Sequence, residues 1–258
     1  MSVLILALAA GAVTGLALGA LGGGGSVLTV PALIYLLGFT PAAATTASLV
    51  IVTLTSATAL SAHARQGGVR WRAGALFAAA GLVPAALGGA LSGQLPAAAL
   101  TGAFSLIAGL AAFRMLRQVA EEPGAGKPEA EESGAAPAGT RRIAGTGAGL
   151  GAVTGLLGVG GGFLAVPALV NVVGLRMRAA VGTSLLVITA NSLAALLARA
   201  GTAQSLDWAV VAPFAGAAVL GAWDGKRLAA RVSGGTLQRI FAWALLAVAA
   251  LMLLDVVL

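Results

Sequence analysis

Two stretches of the chain decide its fold: residues 21–31 read LGGGGSVLTVP, and residues 157–167 read LGVGGGFLAVP. Pro31 corresponds to Pro167, so the numbering offset between the two stretches is 167 − 31 = 136. At the same offset, 47–49 matches 183–185, and a shorter repeat, GAVTGL, occurs at 11–16 and 151–156. Alanine- and glycine-rich sequence can repeat by chance. The shared glycine run, proline and serine at one offset argue against chance and indicate two related halves.

The composition around these stretches is that of a protein dissolved in lipid. Hydrophobic residues make up 59% of the 258 residues and charged residues only 9%, with a mean hydropathy of +1.00. Soluble domains carry about 25% charged residues. In a bilayer every backbone polar group must be paired within the protein, so only helices and closed barrels span it. Long continuous apolar runs, rather than the alternation of a barrel, predict an all-α integral membrane protein.

The apolar runs divide the chain into two sets of five, separated by a polar stretch. They fall at about 3–21, 27–38, 42–64, 73–92 and 97–117, and then at about 143–157, 163–174, 179–198, 208–223 and 236–257. The chain is therefore predicted to contain a first transmembrane repeat at 1–117, a polar cytoplasmic linker at 118–142 and a second transmembrane repeat at 143–258. The runs at 27–38 and 163–174 are too short to cross a bilayer, which takes about 20 residues. Each repeat is thus expected to contain a half-length helix after its glycine loop, in a hairpin with the first helix.

The distribution of arginine predicts how the halves are oriented. The net charge is +7, and the basic residues stand singly or in pairs between apolar runs, as the preference of Lys and Arg for cytoplasmic loops requires. They form no basic stripe of the kind that binds nucleic acid. If the loops that carry these basic residues are cytoplasmic, the turn at 39–41 faces the periplasm and its counterpart at 175–178 faces the cytoplasm. The repeats are therefore predicted to be inverted, with both termini periplasmic.

The glycine loops are candidate anion sites. Irregular backbone is tolerated at membrane depth only if protein buries it or it lines a wet cavity. A short helix after such a loop directs free N–H groups and a positive dipole end at the loop. The alternative is that these glycines only allow helices to pack closely. The candidate residues are Gly22, Gly23, Gly24, Gly25 and Ser26 in the first half, and Gly158, Gly160, Gly161 and Gly162 in the second.

The paired glycine–proline stretches, followed by 46–49 (TASL) and 182–185 (GTSL), resemble the TauE/SafE family of sulfite and organosulfonate exporters. Both halves carry the motif, so the resemblance covers nearly the whole chain. It implies export of a small anion across a bacterial inner membrane. It does not identify the anion, because members are associated with sulfite, sulfoacetate and related compounds.

Several neutral polar residues are further candidates for the substrate path: Thr46, Ser48, Thr183, Ser184 and Asn191. Hydrogen bonding between helices is the alternative role for such side chains. His63, the only histidine, is expected to be interfacial rather than a proton carrier. The four tryptophans lie mostly at the ends of runs, as in an interfacial belt.

The sequence therefore predicts a transporter that exports a small oxyanion, with the bilayer and the anion as its partners. No metal or cofactor is expected, no nucleic acid partner is expected, and a homo-oligomer is compatible with the chain. A membrane-embedded enzyme is an alternative, but it would need intramembrane His, Asp, Glu or Cys, and the chain has no Cys and one His. A non-transporting membrane scaffold is the second alternative, and only the inverted repeat argues against it.

Overall fold

The structure is a computed structural model. It describes residues 2–21, 24–65, 67–91, 102, 105–107, 109–110, 112–113, 116–117, 140–157, 162–175, 177–199, 206–231 and 234–257. Residues 118–139, most of the predicted linker, lie outside this range.

Throughout these residues the protein is helical apart from short turns. The helices are α1 (Ser2–Leu21), α2 (Gly24–Pro31), α3 (Pro41–Ala64), α4 (Trp71–Leu91), α5 (Thr140–Leu157), α6 (Gly162–Asn171), α7 (Met177–Arg199), α8 (Trp208–Arg231) and α9 (Gly234–Val257). The chain continues from α2 into a π-helical turn at Ala32–Leu36. The described residues between 102 and 117 are helical too, and α5 begins inside the stretch 118–142 expected to be linker.

Five of these helices are long and apolar enough to cross a membrane. They contain the segments Val3–Leu21, Ala43–Ala64, Trp71–Gly88, Ala179–Ala198 and Trp208–Gly225. Large apolar side chains such as Ile5, Val83 and Leu220 remain highly exposed on them, because lipid tolerates an apolar exterior. The prediction of an all-α membrane protein is confirmed. α2 and α6, with 8 and 10 residues, are too short to span.

Helices α1 and α8 pack along a stripe of glycines spaced four residues apart. A Cβ added at any of them would lie under 3.0 Å from a backbone carbonyl of the partner helix. The pairs are Gly11 with Phe214, Gly15 with Ala218, and Gly19 with Ala222. Partner numbers rise with glycine numbers, so the two helices run parallel. Such close approach through small residues is a common way for membrane helices to associate.

Helices α5 and α4 repeat this interface in the other half. The pairs are Gly147 with Phe77, Gly151 with Gly81, and Gly155 with Ala85. The glycines of α5 follow those of α1 at a numbering offset of 147 − 11 = 136, which is the offset of the long sequence repeat. The GAVTGL repeat has an offset of 151 − 11 = 140, so it is one helical turn out of register with the structure.

Helices α3 and α7, which correspond to each other in the two halves, contact one another and run antiparallel. The chain leaves α3 at Ala64 and reaches the first turns of α7, where the backbone N–H of Arg70 donates to the hydroxyl of Thr183 at 3.0 Å. Nearer the middle of both helices, the hydroxyl groups of Thr189 and Ser56 are hydrogen-bonded to each other, with their oxygens 2.9 Å apart. The end of α3 therefore lies beside the beginning of α7.

The remaining contacts fix the directions of the other long helices. The first turns of α3 share a core cluster with the first turns of α8, and later residues such as Ala59 share one with Ala222. A Cβ at Gly74 in α4 would meet Thr183, and one at Gly81 would meet Asn191. Hence α3 runs parallel to α8, and α4 runs parallel to α7. Helices α1, α3 and α8 point one way, and α4, α5 and α7 point the other way.

The half-length helices end in matching turns. Gly38 and Gly174 have φ of +71° and +75°, a region that a Cβ disfavours. Phe39 N–H donates to Leu33 O, and Leu175 N–H donates to Leu169 O, both at 3.0 Å. In each bond the donor follows the acceptor by six residues (39 − 33 = 175 − 169 = 6), one residue more than in the Schellman motif, and the glycine of positive φ precedes the donor as it does in that motif. Each pair of equivalents shows the same offset (174 − 38 = 175 − 39 = 169 − 33 = 136), so the repeat extends to individual hydrogen bonds.

Candidate functional site

The two half-length helices come together in the interior. α2 and α6 contact each other, and the equivalent residues Leu28 and Leu164 pack against one shared core cluster. The predicted loop residues Gly22, Gly23, Gly158, Gly160 and Gly161 lie outside the described residues. Gly24, Gly25 and Ser26 form the first turn of α2, and Gly162 begins α6. The structure thus brings together the helices that follow the loops, and the role of the glycines stays a prediction.

The predicted polar residues are buried. Thr46 and Ser48 on α3, and Thr183 and Ser184 on α7, are nearly inaccessible to solvent. Ser48 donates to Thr45 O at 2.9 Å and Ser184 donates to Val181 O at 2.7 Å, so both hydroxyls bond the backbone of their own helix. Thr183 accepts the hydrogen bond from Arg70 described above. These residues serve the local structure, and their contact with a substrate stays a prediction.

A second polar group, which the sequence motifs do not mark, lies where α3 crosses α7. It consists of Thr53 and Ser56 on α3 with Thr189 and Ser192 on α7. The two pairs are equivalents, since 189 − 53 and 192 − 56 both equal 136. They sit near the middle of helices of 24 and 23 residues. The signal available in the sequence is the hydroxyl pair at i and i+3 in both repeats.

Two side-chain oxygen atoms at this depth lack a partner. Within the part of the chain that the structure describes, Asn191 Oδ1 and Ser192 Oγ are buried and form no hydrogen bond. The residues are 2% and 0% exposed. An unsatisfied buried polar group costs about 1–3 kcal/mol. Buried polar groups without partners are rare in native proteins and call for a specific explanation, such as a water or a ligand.

The amide of Asn191 faces the closely packed pair α4 and α5. A Cβ at Gly81 would lie 3.1 Å from Asn191 Nδ2 and 2.9 Å from the carbonyl oxygen of Gly147. The absence of a side chain at Gly81 therefore leaves room for the amide. Asn and Ser can both donate to an anion and accept from a protonated one. The arrangement offers neutral hydrogen bonds to a small polar solute.

The ionisable groups whose side chains the structure describes stand apart from this region. Asp207 is exposed and accepts from Ala209 N–H at 3.1 Å at the start of α8, and Asp224 pairs with Arg227 at 3.4 Å on the surface. His63 lies in the last turn of α3, partly buried, with Nε2 3.4 Å from Gly19 O of α1. Among the described residues no cluster of three His, Cys, Asp or Glu is found.

Comparison with known proteins agrees with the sequence motifs. The model of the family described as Sulfite exporter TauE/SafE matches residues 7–252. Two relatives, each named "Probable membrane transporter protein", come from Xylella fastidiosa strains 9a5c and Temecula1. Each is 33% identical over 249 residues, covering 95% of this chain and 93% of the relative. No solved structure matches the chain. The chain therefore belongs to the TauE/SafE family.

Proposed function

We propose that the protein is a multi-pass membrane transporter that exports a small oxyanion, such as sulfite or an organosulfonate, across a bacterial inner membrane. The observation that carries the proposal is the antiparallel crossing of α3 with its equivalent α7, with buried polar groups at its centre. Two equivalent halves around one polar centre are a common basis for alternating access in transporters. The family and the names of its two relatives support the same class of function.

The halves form inverted repeats in this proposal. A two-fold operation that exchanges antiparallel helices has its axis perpendicular to them, and thus in the membrane plane. The basic residues support the orientation. Because α3 and α4 run in opposite directions, the end of α3 and the start of α4 lie on the same side of the membrane. Arg65, Arg70 and Arg72 lie on that side. The start of α5 adds Arg141 and Arg142, and the end of α8 adds Arg227. This side is cytoplasmic by the positive-inside rule.

The termini are then both periplasmic, and the linker at 118–142 is cytoplasmic. Reporter fusions after Glu132 and at the C-terminus test this topology. We expect the reporters to show opposite sides of the membrane. Two reporters on the same side would exclude the inverted arrangement.

The anion is held between the two glycine loops in this proposal. Each loop places the N-terminus of a half-length helix near the centre, and the backbone N–H groups there supply donors without a buried cation. Contact between α2 and α6 supports a meeting of the two loops. Ser26, Thr46, Ser48, Thr183, Ser184 and Asn191 would line the path, and Ser48 and Ser184 would donate to the anion in exchange for their bonds to Thr45 O and Val181 O. Neutral donors suit a substrate that must leave again, because a buried arginine would hold an anion more strongly.

Export is driven by the membrane potential rather than by a proton relay. Such relays use carboxylates or histidines inside the membrane, whereas Asp207 and Asp224 occupy exposed surface positions. An interior-negative potential contributes about 2.3 kcal/mol per exiting charge per 100 mV. That free energy supports accumulation of the anion outside the cell without a coupling ion.

Counterflow in proteoliposomes tests the function. Purified protein is reconstituted with unlabelled sulfite, sulfoacetate or sulfate inside the vesicles, and uptake of the labelled anion is followed. We expect uptake of sulfite or a sulfonate above that of protein-free vesicles. Uptake of none of these anions, by protein that is folded in detergent, would contradict the proposal and favour the enzyme or scaffold alternative.

A further inference from the structure

The buried polar side chains of the described residues share one property: all are neutral. They comprise five threonines, five serines and Asn191. The charged side chains whose exposure is described, such as Arg70, Arg142 and Asp224, are exposed. A substrate at the centre of the long helices is therefore met by hydroxyl, amide and backbone dipoles.

Neutral dipoles set a limit on the charge that the centre can hold. The desolvation free energy of an ion rises with the square of its charge, so a dianion costs roughly four times as much as a monoanion of the same size to bury. Neutral donors at a helix N-terminus can bind a dianion, but each returns less of this larger desolvation cost than a charged partner would, so a centre of neutral donors is expected to favour the monoanion. We propose that the protein carries its oxyanion in the singly charged form, and that Asn191 and Ser192 of α7 are the side chains that bind it.

The two residues are suited to this role by burial and by lack of partners. Asn191 Oδ1 and Ser192 Oγ lie in the second half of α7 without a hydrogen bond. Helix α6 packs against α7 and leads into it through the short segment 172–176, so the two run in opposite directions. The numbering offset from Met177 to Asn191 is 191 − 177 = 14, whereas α6 is only 10 residues long. At about 1.5 Å per residue these lengths are ~21 Å along α7 and ~15 Å along α6, so we expect Asn191 to lie near the level of Gly162 or beyond it, on the side to which the α6 N-terminus points.

The equivalent position in α3 does not offer the same contact. Thr55 corresponds to Asn191 (191 − 55 = 136). It is buried, and its hydroxyl bonds the carbonyl of Ile51 in its own helix. The proposed contact is therefore asymmetric and belongs to the second half. Thr55 supplies a matched control for variants of Asn191.

A charge-selective site predicts a pH dependence that comes from the substrate. The titratable and charged groups on the helices packed against α7 are His63 and Arg65 at the end of α3, Arg70 and Arg72 by the start of α4, and Arg141 and Arg142 at the start of α5. His63 is partly buried, and the arginines are exposed. All of them lie at helix ends, away from the middle of α7. Among the described residues of α6 there is no charged side chain.

The experiment compares three anions at several pH values, with the same pH on both sides of the vesicles. Hydrogensulfite loses its proton near neutral pH, methanesulfonate is a monoanion throughout, and sulfate is a dianion throughout. We expect sulfite counterflow to fall roughly tenfold per pH unit above the second pKa of the substrate. Methanesulfonate flux should stay constant, and sulfate flux should match that of protein-free vesicles.

The outcomes separate this inference, which rests on the proposed function, from that function itself. Sulfate flux equal to sulfite flux, or sulfite flux that rises with pH, would overturn the charge selectivity and leave anion transport intact. A parallel fall of methanesulfonate flux would place the titrating group in the protein, against this inference, and His63→Gln would test for it. No flux of any anion would contradict the proposed function and this inference together.

Variants test the two side chains. Asn191→Leu and Ser192→Ala should each lower methanesulfonate counterflow about tenfold, close to the loss of one hydrogen bond. Thr55→Val, which removes a hydroxyl bonded to its own helix, should leave the flux within about twofold. Thermal unfolding in detergent checks folding. Equal flux in Asn191→Leu and the wild-type protein, with both folded, would overturn the assignment of Asn191.

Discussion

Helices α3 and α7 occupy equivalent positions, yet their polar side chains are satisfied differently. In α3, hydroxyl groups bond carbonyl oxygens three or four residues earlier. These are Ser48, Thr53, Thr55, Ser56, Thr58 and Ser61. In α7, Ser184 and Thr189 do the same, but Asn191 Oδ1 and Ser192 Oγ have no partner. The hydroxyl groups named in α3 are all hydrogen-bonded within their own helix, whereas α7 has two buried oxygen atoms without a hydrogen bond.

The packing around these helices is shared by both halves. The interface of α1 with α8 and that of α5 with α4 use the same stripe of three glycines against backbone carbonyls. The two halves are therefore alike in their backbone contacts, which are possible because the stripe residues are glycines and have no side chain. The two halves differ in the hydrogen bonding of two side chains near the middle of α7, those of Asn191 and Ser192. A duplicated scaffold can thus present buried polar atoms without partners in only one of its halves.

The largest loss of stability is expected from substitutions in the two glycine stripes, which both halves share. Gly15→Ala and Gly151→Ala each push a Cβ into a backbone carbonyl of the partner helix, of Ala218 or Gly81. Backbone cannot move aside as a side chain does, so each variant should lose about 1–3 kcal/mol of stability. Thermal unfolding in detergent should show similar losses for the two variants if the interfaces are equivalent.

Gly149→Ala is the matched control, since a Cβ at Gly149 meets nothing within 4 Å. Alanine is favoured over glycine in a helix by about 1 kcal/mol, so this variant should be unchanged or more stable. A large loss in only one of the two stripe variants would mean that the interfaces are unequal. A loss in Gly149→Ala as great as in Gly151→Ala would refute the packing explanation.

The glycine loops should affect transport more than stability. Gly25→Val and Gly161→Val place a branched side chain where the proposed site needs close approach of backbone, and each should lower counterflow at least tenfold, or about 1.4 kcal/mol. Gly216→Val is the control, because a Cβ at Gly216 meets nothing within 4 Å. Equal losses of folded yield and of transport in the loop variants would favour a packing role for these glycines.

Because the polar side chains of α3 and α7 are satisfied differently, matched variants of the two helices should change the free energy of unfolding in opposite directions. Asn191→Leu removes a buried amide oxygen that has no partner, so it should stabilise the protein by about 1 kcal/mol or leave it unchanged. Thr55→Val removes a satisfied hydroxyl and should cost about 0.5–1.5 kcal/mol. Unfolding midpoints of the two variants check this. Destabilisation by Asn191→Leu would show that the amide has a partner that it needs.

Much of the fold follows from hydrophobicity alone. The apolar runs at 3–21, 42–64 and 179–198 correspond to α1, α3 and α7 within two residues at each end. The run that predicts α8 ends near 223, but the helix continues to Arg231, because a helix that leaves the membrane no longer needs apolar residues. The glycine loops predict the half-length helices. The long repeat also predicts the register of the two interfaces.

Two features could not be predicted from short sequence motifs: the register in which the two halves correspond, and the unpaired oxygen atoms of Asn191 and Ser192. A glycine stripe with a spacing of four residues looks the same after a shift of four, so GAVTGL matches one turn away from the structural equivalents. Ser192 was missed because most hydroxyls in a membrane helix bond the backbone one turn earlier, as those of α3 do. Whether a given hydroxyl does so depends on packing that spacing does not reveal.

The smallest effect is expected from the carboxylates. The triple variant Asp207→Asn, Asp224→Asn and Asp255→Asn should transport at the wild-type rate, since the proposed export needs no carboxylate. Asn caps a helix about as well as Asp, so the bond from Ala209 N–H at the start of α8 should persist. The pair of Asp224 with Arg227 is exposed, and such pairs contribute little. Counterflow under an imposed potential, interior negative, is the measurement. Loss of transport in the folded triple variant would mean that a carboxylate couples export to protons, and it would place that group outside the neutral centre formed by α3 and α7.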